Sequence, residues 1–246
     1  MLLKKWDDLP ENMQTDDVKV YYDALKKRRL SLLAKRIFDF TVALIMLILL
    51  SPVFLILAVA IKIDSRGPVF YRQVRVTQYG KTFRIFKFRS MTNGADKQSQ
   101  LTTKGDARIT RVGKLIRKFR LDEISQLIDV LRGKMTFVGT RPEVPKFTDQ
   151  YTPEMMATLL LPAGITSLAS IYYKDEAELL DSVDNADAVY VEKVLPDKMY
   201  YNLKALKEFS FFGDIAVMFK TAFAMLGKEY IDLSRVMEEK KEEVEV

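Results

Sequence analysis

The sequence predicts a mixed α/β fold of the α+β kind: a mostly helical small domain with a short β-hairpin, a broken hydrophobic helix of re-entrant type, and interfacial amphipathic helices. Three observations lead there. An uncharged run of 22 residues, Phe40 to Ile61, carries Ser51-Pro52 at its middle. Valine and aromatic residues alternate with period two through Pro68–Arg89, on both sides of TQYGK. Much of the rest spaces its apolar residues at helical intervals. With 246 residues, 48% of them hydrophobic, the chain suffices for one good-sized domain plus a membrane element.

Asp16–Asp39 reads as one amphipathic helix with Val20, Ala24, Leu30, Leu33 and Ile37 on its apolar side and a basic C-terminal half. That pattern suits an anionic lipid surface and equally a solvated charged helix. As a straight helix, Phe40–Ile61 would reach about 33 Å, close to the hydrocarbon thickness of a bilayer. It is too long, and too far along the chain, for an ordinary signal peptide; a buried core helix is the bland alternative. Pro52 cannot donate to Ile48 and its ring crowds that carbonyl. The outcome is a kinked span or a re-entrant hairpin with halves Phe40–Leu50 and Val53–Ile61. Lys26, Lys27, Arg28, Arg29, Lys35 and Arg36 precede the run, and Lys62, Arg66, Arg72, Arg75 and Lys81 follow it. Positive charge prefers the cytoplasmic side, so two basic flanks favour the re-entrant form with both ends on one face. The Ser51 hydroxyl is suited to bond a carbonyl freed at the break.

Beyond the hairpin, Met91–Gly113 is polar and reads as a loop. Lys114–Arg132 carries a helical stripe of Leu115, Phe119, Ile124, Leu127, Ile128 and Leu131, with Gly133 at the C-cap. MTFVG is strand-like. Thr152–Leu160 reads as a short helix, Pro162-Ala163-Gly164 as a turn, and Leu168–Tyr173 as extended chain. Ala186–Val194 and Asp197–Phe209 read as helices. Phe211–Leu226 is apolar and aromatic but too charged to span, so it docks at the interface or on the core. Met237–Val246 reads as a disordered charged tail. The expected organisation is an N-terminal segment over 1–39, the membrane helix pair over 40–61, the catalytic domain with interfacial helices over 62–228, and a charged tail over 229–246.

Composition narrows the chemistry. The chain has no Cys and no His, and a net charge of +6. Disulfides, thiol catalysis and Ser-His-Asp nucleophiles are excluded, and a zinc site is disfavoured. A hard cation such as Mg²⁺ remains compatible. The charge favours anionic partners. Basic residues are spread among acids with no recognition motif, which argues against nucleic acid. Asp122-Glu123 sits among Arg117, Lys118, Arg120 and Arg132. A solvated acidic pair near a helix start is the ordinary reading. Without His or Cys, however, a nucleophile must be a carboxylate or hydroxyl. One acid can attack phosphorus while its neighbour holds Mg²⁺. Lys87 and Arg89 flank Phe88 at the end of a strand, on one face at period two, as a phosphate clamp or as two solvated charges. Arg141 lies between Gly139-Thr140 and Pro142; the proline makes it extended, which suits bidentate phosphate binding.

Taken together, the run RKFRLDEISQLIDVLRGKMTFVGTRPEV resembles the signature of the bacterial sugar transferases, the monotopic polyprenyl-phosphate phosphoglycosyl transferases. Further pieces lie in order: KRIFDF, the segment centred on Ser51-Pro52, GPVFYRQVRV, GKTFRIFKFRSM, DARITRVGKLIRK, PAGITSLASI and YYNLKALKEFSFFGDIAVMFKT. The resemblance spans about Arg28 to Thr221 and looks like the family's minimal catalytic form. It implies that Asp122 attacks the sugar-linked phosphate of a UDP-sugar and expels UMP, and that polyprenyl phosphate then collects the phosphosugar. It implies Mg²⁺ on Glu123, phosphate or nucleotide contacts from Arg117 and Arg141, a role for Lys87, and Ser51-Pro52 as the break of the re-entrant helix. The location implied is the cytoplasmic leaflet of the bacterial inner membrane, and the pathway one that starts a capsule, exopolysaccharide or glycoconjugate. Thr140 stands where the family has the first proline of Pro-Arg-Pro, which leaves that loop less rigid. The sugar and the oligomeric state, a homo-oligomer included, stay open. The alternative is a non-enzymatic membrane-surface adaptor that binds anionic lipid.

Overall fold

A computed structural model describes residues 3–95, 106–174, 176 and 185–225. The chain is helix-rich, with three two-stranded sheets among the described residues. Two 3-10 turns, Trp6–Asp8 and Glu11–Met13, lead into α1, Asp16–Lys26. Thr15 caps α1, its side chain accepting from the Val18 N–H, and Asp16 and Asp17 fill the first turn, where the helix dipole favours acids. The single helix expected over Asp16–Asp39 is in fact two: the chain breaks at Lys27-Arg28 and α2 runs Arg29–Leu49. The stripe Val20, Leu30, Leu33 and Ile37 faces outward, whereas Val18, Tyr21, Tyr22, Leu25 and Leu32 are buried. Those buried residues join Met13, Leu160 and Leu206 in one core cluster.

α3, Ser51–Asp64, follows at a bend of 61°. Among the described residues no single helix is long and apolar enough to cross a membrane; α2 and α3 pass that test only as a bent pair. The Ser51 hydroxyl donates to the Ile48 carbonyl at 2.8 Å, the carbonyl that Pro52 leaves without an N–H. Each helix buries one narrow side. Ala43 of α2 packs with Leu127, Val130 and Phe137; Leu57 and Ile61 of α3 pack with Phe88 and Ile116. Phe40, Leu44, Ile45, Ile48, Leu55, Ile56 and Val59 stay exposed.

The predicted hairpin forms as two nested antiparallel pairs. β1, Phe70–Tyr71, pairs with β4, Lys87–Phe88; β2, Val74–Val76, pairs with β3, Thr82–Arg84. A 3-10 turn at Gln78–Gly80 closes it. The expected loop ends early, because α4 already starts at Arg111, with Thr110 capping the Gly113 N–H.

The expected long helix Lys114–Arg132 is broken. α4, Arg111–Lys118, stops in a Schellman turn: Leu121 N–H reaches Ile116 O at 2.8 Å and Arg120 N–H reaches Arg117 O at 3.1 Å. Arg120 takes the left-handed position at φ 51, where glycine is usual. A 3-10 turn, Ile124–Gln126, leads into α5, Leu127–Leu131, which ends in a second Schellman turn with Gly133 at φ 72. Leu115 and Phe119 of the predicted stripe are exposed.

β5, Met135–Val138, is the MTFVG strand and pairs in parallel with β6, Ala163–Thr166. Pro162-Ala163-Gly164 is therefore the entry to a strand rather than a turn. A Cβ on Gly164 would lie 2.1 Å from Gly139 O, so the close approach of the two strands requires glycine here. Between them lie α6, Pro145–Thr148, and a 3-10 helix over Met155–Leu160. Leu168–Tyr173, expected as extended, is α7, Leu168–Tyr172, because the Ser167 side chain caps the Ser170 N–H. α8, Ala186–Val189, passes through a π-helical turn, Tyr190–Val194, into α9, Leu195–Lys207. α10, Phe211–Met225, packs Val217 and Met218 on the core and leaves Phe212, Phe219 and Phe223 exposed. Lys35 of α2 is buried and pairs with Asp214 of α10 at 2.6 Å, which ties these two helices together. Leu226 and the predicted charged tail lie outside the described residues.

Candidate active site

The break after α4 sets the dyad. Because the Schellman turn ends the helix, Asp122 and Glu123 leave the helical surface and face a cavity of about 410 Å³. Two interactions hold the Asp122 backbone: its carbonyl accepts from Phe88 N–H at 3.1 Å and from the Ser125 hydroxyl at 3.1 Å. Phe88 is buried against α3 and α4, so strand β4 is anchored and its neighbour Lys87 is aimed at the acids. Lys87 Nζ lies 3.8 Å from Asp122 and 3.5 Å from Glu123.

Arg141 closes the other side. Its Nη1 donates to Glu123 Oε2 at 3.0 Å and to Ile165 O at 2.9 Å, while its Nη2 bonds Glu123 Oε1. This is a fork-to-fork pair of the strong kind. The β5–β6 pairing supplies both the Arg141 loop and the Ile165 carbonyl. Arg117 also lines the cavity, and its side chain makes no hydrogen bond or ion pair among the described residues.

The electrostatics separate the two acids. Burial pushes the Asp122 carboxyl above the usual range; Lys87 opposes this and Glu123 adds to it. Burial acts the same way on Glu123, but the Arg141 guanidinium and then Lys87 outweigh it and hold that carboxyl well below the usual range. Burial also lowers the Lys87 ammonium, against the pull of Glu123 and Asp122. The result is one carboxylate locked in an ion pair and one less committed, in a polar, partly dry site. Adjacent acids with pKa values pushed apart are a common mark of divided chemical roles.

Lys87, Arg117, Asp122, Glu123 and Arg141 thus converge, but Arg89 does not join them. Arg89 is buried, and its guanidinium donates to Ser65 O at 2.7 Å, to Ser65 Oγ at 3.0 Å and to Arg66 O at 3.1 Å. The clamp read from strand periodicity fails because the carbonyls of Ser65 and Arg66, in the turn that follows α3, need donors and Arg89 supplies them. Sequence reasoning had counted Arg75 and Arg120 only as basic flanks, and it missed the far wall: Glu143, Tyr190 and Lys198 line the same cavity. Glu143 had a signal, two positions after Arg141. Tyr190 and Lys198 had none, since α8 and α9 are far along the chain.

A second cavity of about 590 Å³ shares Arg117, Arg120, Glu123 and Arg141 with the first. Its other walls are mostly apolar: Met46 of α2, Leu127, Phe137, Ile171, and Met218, Ala222 and Met225 of α10. The basic and acidic side chains around Glu123 are therefore a partition between a polar chamber and an apolar one.

Residues 30–228 match the bacterial sugar transferase family. The chain is 36% identical over 200 residues to a UDP-glucose:undecaprenyl-phosphate glucose-1-phosphate transferase of Klebsiella pneumoniae, covering 79% of this chain and 40% of that one. It is 37% identical over 196 residues to a UDP-N-acetylgalactosamine-undecaprenyl-phosphate N-acetylgalactosaminephosphotransferase of Aeromonas hydrophila, covering 78% and 43%. It is 31% identical over 200 residues to the uncharacterized sugar transferase EpsL of Bacillus subtilis, covering 81% and 91%. The chain thus spans about two fifths of the length of the first two relatives and most of the third. The chain belongs to the bacterial sugar transferase family.

Proposed function

We propose that this chain transfers a phosphosugar from a UDP-sugar to a polyprenyl phosphate such as undecaprenyl phosphate, releasing UMP, through a covalent intermediate on Asp122. The observation that carries the reading is Glu123 at the partition between the polar and apolar cavities, with its neighbour Asp122 lining the polar one. A charged, water-soluble donor and a lipid acceptor need opposite surroundings and one shared reacting atom. The named relatives support it, since two of them use UDP-sugars and undecaprenyl phosphate.

The chemistry follows from the charges. Asp122 Oδ attacks the phosphorus that bears the sugar. The bond from that phosphorus to the UMP oxygen breaks, UMP departs, and an acyl phosphate remains on Asp122. An oxygen of polyprenyl phosphate then attacks the same phosphorus, and the Asp122 carboxylate leaves. Two anions meet in each step, so cations must screen them. Lys87 stands beside both acids, and Arg117 lines the same cavity. Arg141 keeps Glu123 ionised and fixed.

Mg²⁺ fits the donor set. Carboxylate oxygens are the hard ligands it prefers, and Arg141 occupies only part of the lone-pair capacity of Glu123. No group of three ligating side chains exists among the described residues, so substrate phosphates and water would complete its shell. Held by Glu123, the ion would screen the diphosphate and stabilise the departing phosphate.

The bent pair α2–α3 is read as a re-entrant hairpin in the cytoplasmic leaflet. Its outward side chains are apolar, its flanks are basic at both ends, and the Ser51–Ile48 hydrogen bond satisfies the carbonyl at the break. The exposed phenylalanines of α10 would lie at the same interface. The exposed apolar helices also suit a lipid-binding adaptor with no activity, which leaves the charged cavity without a use. Incubation with a UDP-sugar, polyprenyl phosphate and Mg²⁺ separates the two. Acceptor-dependent UMP release is expected; membrane binding without UMP release from any UDP-sugar would leave only the adaptor.

A further inference from the structure

The polar cavity has a second pole, built differently from the dyad. Glu143 is only 8% exposed, and its Oε1 accepts from the Tyr190 hydroxyl at 2.6 Å and lies 3.4 Å from Lys198 Nζ. Lys198, 7% exposed, also donates to Glu176 Oε2 at 2.9 Å and to the Tyr190 hydroxyl at 2.9 Å. The Tyr190 ring packs on Phe147 with centroids 4.5 Å apart. All five residues line the cavity. Tyr190 opens the π-helical turn, a distortion that concentrates at functional sites. A buried ionic cluster is weak as a stability device, because apolar residues of similar volume hold a core at least as well.

The charge balance says what such a pole receives. At the dyad, Lys87, Arg117, Arg120 and Arg141 surround two acids. At the far pole, Glu143 and Glu176 stand against Lys198 and against Arg75, which donates to Pro142 O beside Glu143 at 3.1 Å, so acids and cations balance and no cation is in excess. A diphosphate is drawn instead to the excess of cations at the dyad. The donor therefore points an uncharged end at Glu143. A uracil ring offers one N–H donor and two carbonyl acceptors. A hexose offers a ring of hydroxyls, each able to donate to a carboxylate, and carbon faces that pack on an aromatic ring.

We propose that Glu143, Tyr190 and Lys198, with Glu176, form the hexose-recognition subsite and set which UDP-sugar this chain uses. This rests on the transferase reading above. The pre-existing bonds within the cluster orient the acceptors before the sugar arrives, and a hydroxyl of wrong configuration leaves the remaining acceptor positions of Glu143 unmatched.

The test uses the full chain in membranes with UDP-glucose, UDP-galactose and UDP-N-acetylglucosamine, scored by UMP release, and UMP as product inhibitor. Glu143→Gln and Tyr190→Phe should change the ratio of kcat/KM between the best donor and its epimer about tenfold, the size expected for one hydrogen bond to a charged group. Inhibition by UMP should stay within about twofold, since UMP lacks the hexose. Glu176→Gln, at the more exposed edge, should shift the same ratio and guards against a misfolded Glu143 variant. An unchanged donor ratio in variants that keep activity overturns the proposal, and weakened UMP inhibition alongside it would assign the pole to the nucleoside. Absence of UMP release from every donor with the unsubstituted protein overturns the transferase reading itself, which is a different result.

Discussion

Two breaks in helices organise this molecule, and they differ in how they are made. At Leu50-Ser51 the break carries a chemical marker, Pro52, and a local repair, the Ser51 hydroxyl on Ile48 O. At Arg120-Leu121 there is no proline and no glycine. A non-glycine residue in the left-handed region costs about 1–2 kcal/mol. The two Schellman hydrogen bonds, each worth about 1 kcal/mol, and the contact of Leu121 with Ile116 offset it. The first break sets how apolar helices turn; the second lifts two carboxylates off a helix into a charged cavity. The first break is written in residue type, whereas the second is held by backbone hydrogen bonds, the Schellman pair and the Phe88 N–H on Asp122 O.

The sharpest way to separate the breaks is to disable the residue that the second one presents. Asp122→Asn should lower UMP release by about a thousandfold or more while membrane association persists, because the amide cannot act as the nucleophile. Retained turnover would move the nucleophile elsewhere. A smaller loss is expected for Arg141→Lys. Lysine cannot reproduce the two-bond fork on Glu123, so kcat/KM should fall about 10–100-fold, with a weaker response to Mg²⁺ titration. Equal activity would mean that the fork does not position Glu123.

Pro52→Ala probes the first break. Alanine restores the N–H and removes a ring that disfavours a helix interior by about 3 kcal/mol, so the bend of α2–α3 should open. The chain has no native cysteine, so single cysteines placed near Arg29 and Ile63 can be labelled cleanly. Both should react from the same side of a vesicle in the unsubstituted protein. Labelling from opposite sides would establish a span and end the re-entrant reading.

The smallest effect belongs to Arg120→Gly. Relief of the left-handed strain should raise stability by about 1 kcal/mol, read as a higher melting temperature, while loss of a cation from the cavity lowers activity. A drop in melting temperature would show that the Arg120 bond to Lys174 O outweighs the strain. Acid sensitivity follows the same division. The Asp122 carboxyl is raised by burial and must be ionised to attack, so kcat/KM should fall with decreasing pH at a point above the ordinary aspartate value of about 3.9. An acid limb at or below that value would contradict the burial of the nucleophile.

What could be read beforehand follows from the same contrast. The bent apolar pair, the hairpin and the Gly133 cap were legible because proline, alternation and glycine each act locally. The dyad was legible as a pair of residue types but not as a shape, since the apolar stripe from Leu115 to Leu131 continues across the break as if the helix did. Leu115 and Phe119 continue that stripe while facing outward. Arg89 was misread because period two fixes the face of a strand residue but not which unpaired carbonyls its long side chain will find. Tyr190 and Lys198 reach the cavity only through the packing of the π-helical turn and α9, which no local pattern encodes.

The central claim is a covalent bond between Asp122 and phosphorus. Intact-protein mass spectrometry after mixing the chain with a UDP-sugar and Mg²⁺, without acceptor, tests it most directly. The account predicts an added mass equal to the sugar phosphate, localised to Asp122 and discharged when polyprenyl phosphate is added. A protein that turns over with acceptor but never carries that mass would transfer by direct displacement, and the nucleophile role of Asp122 would be wrong.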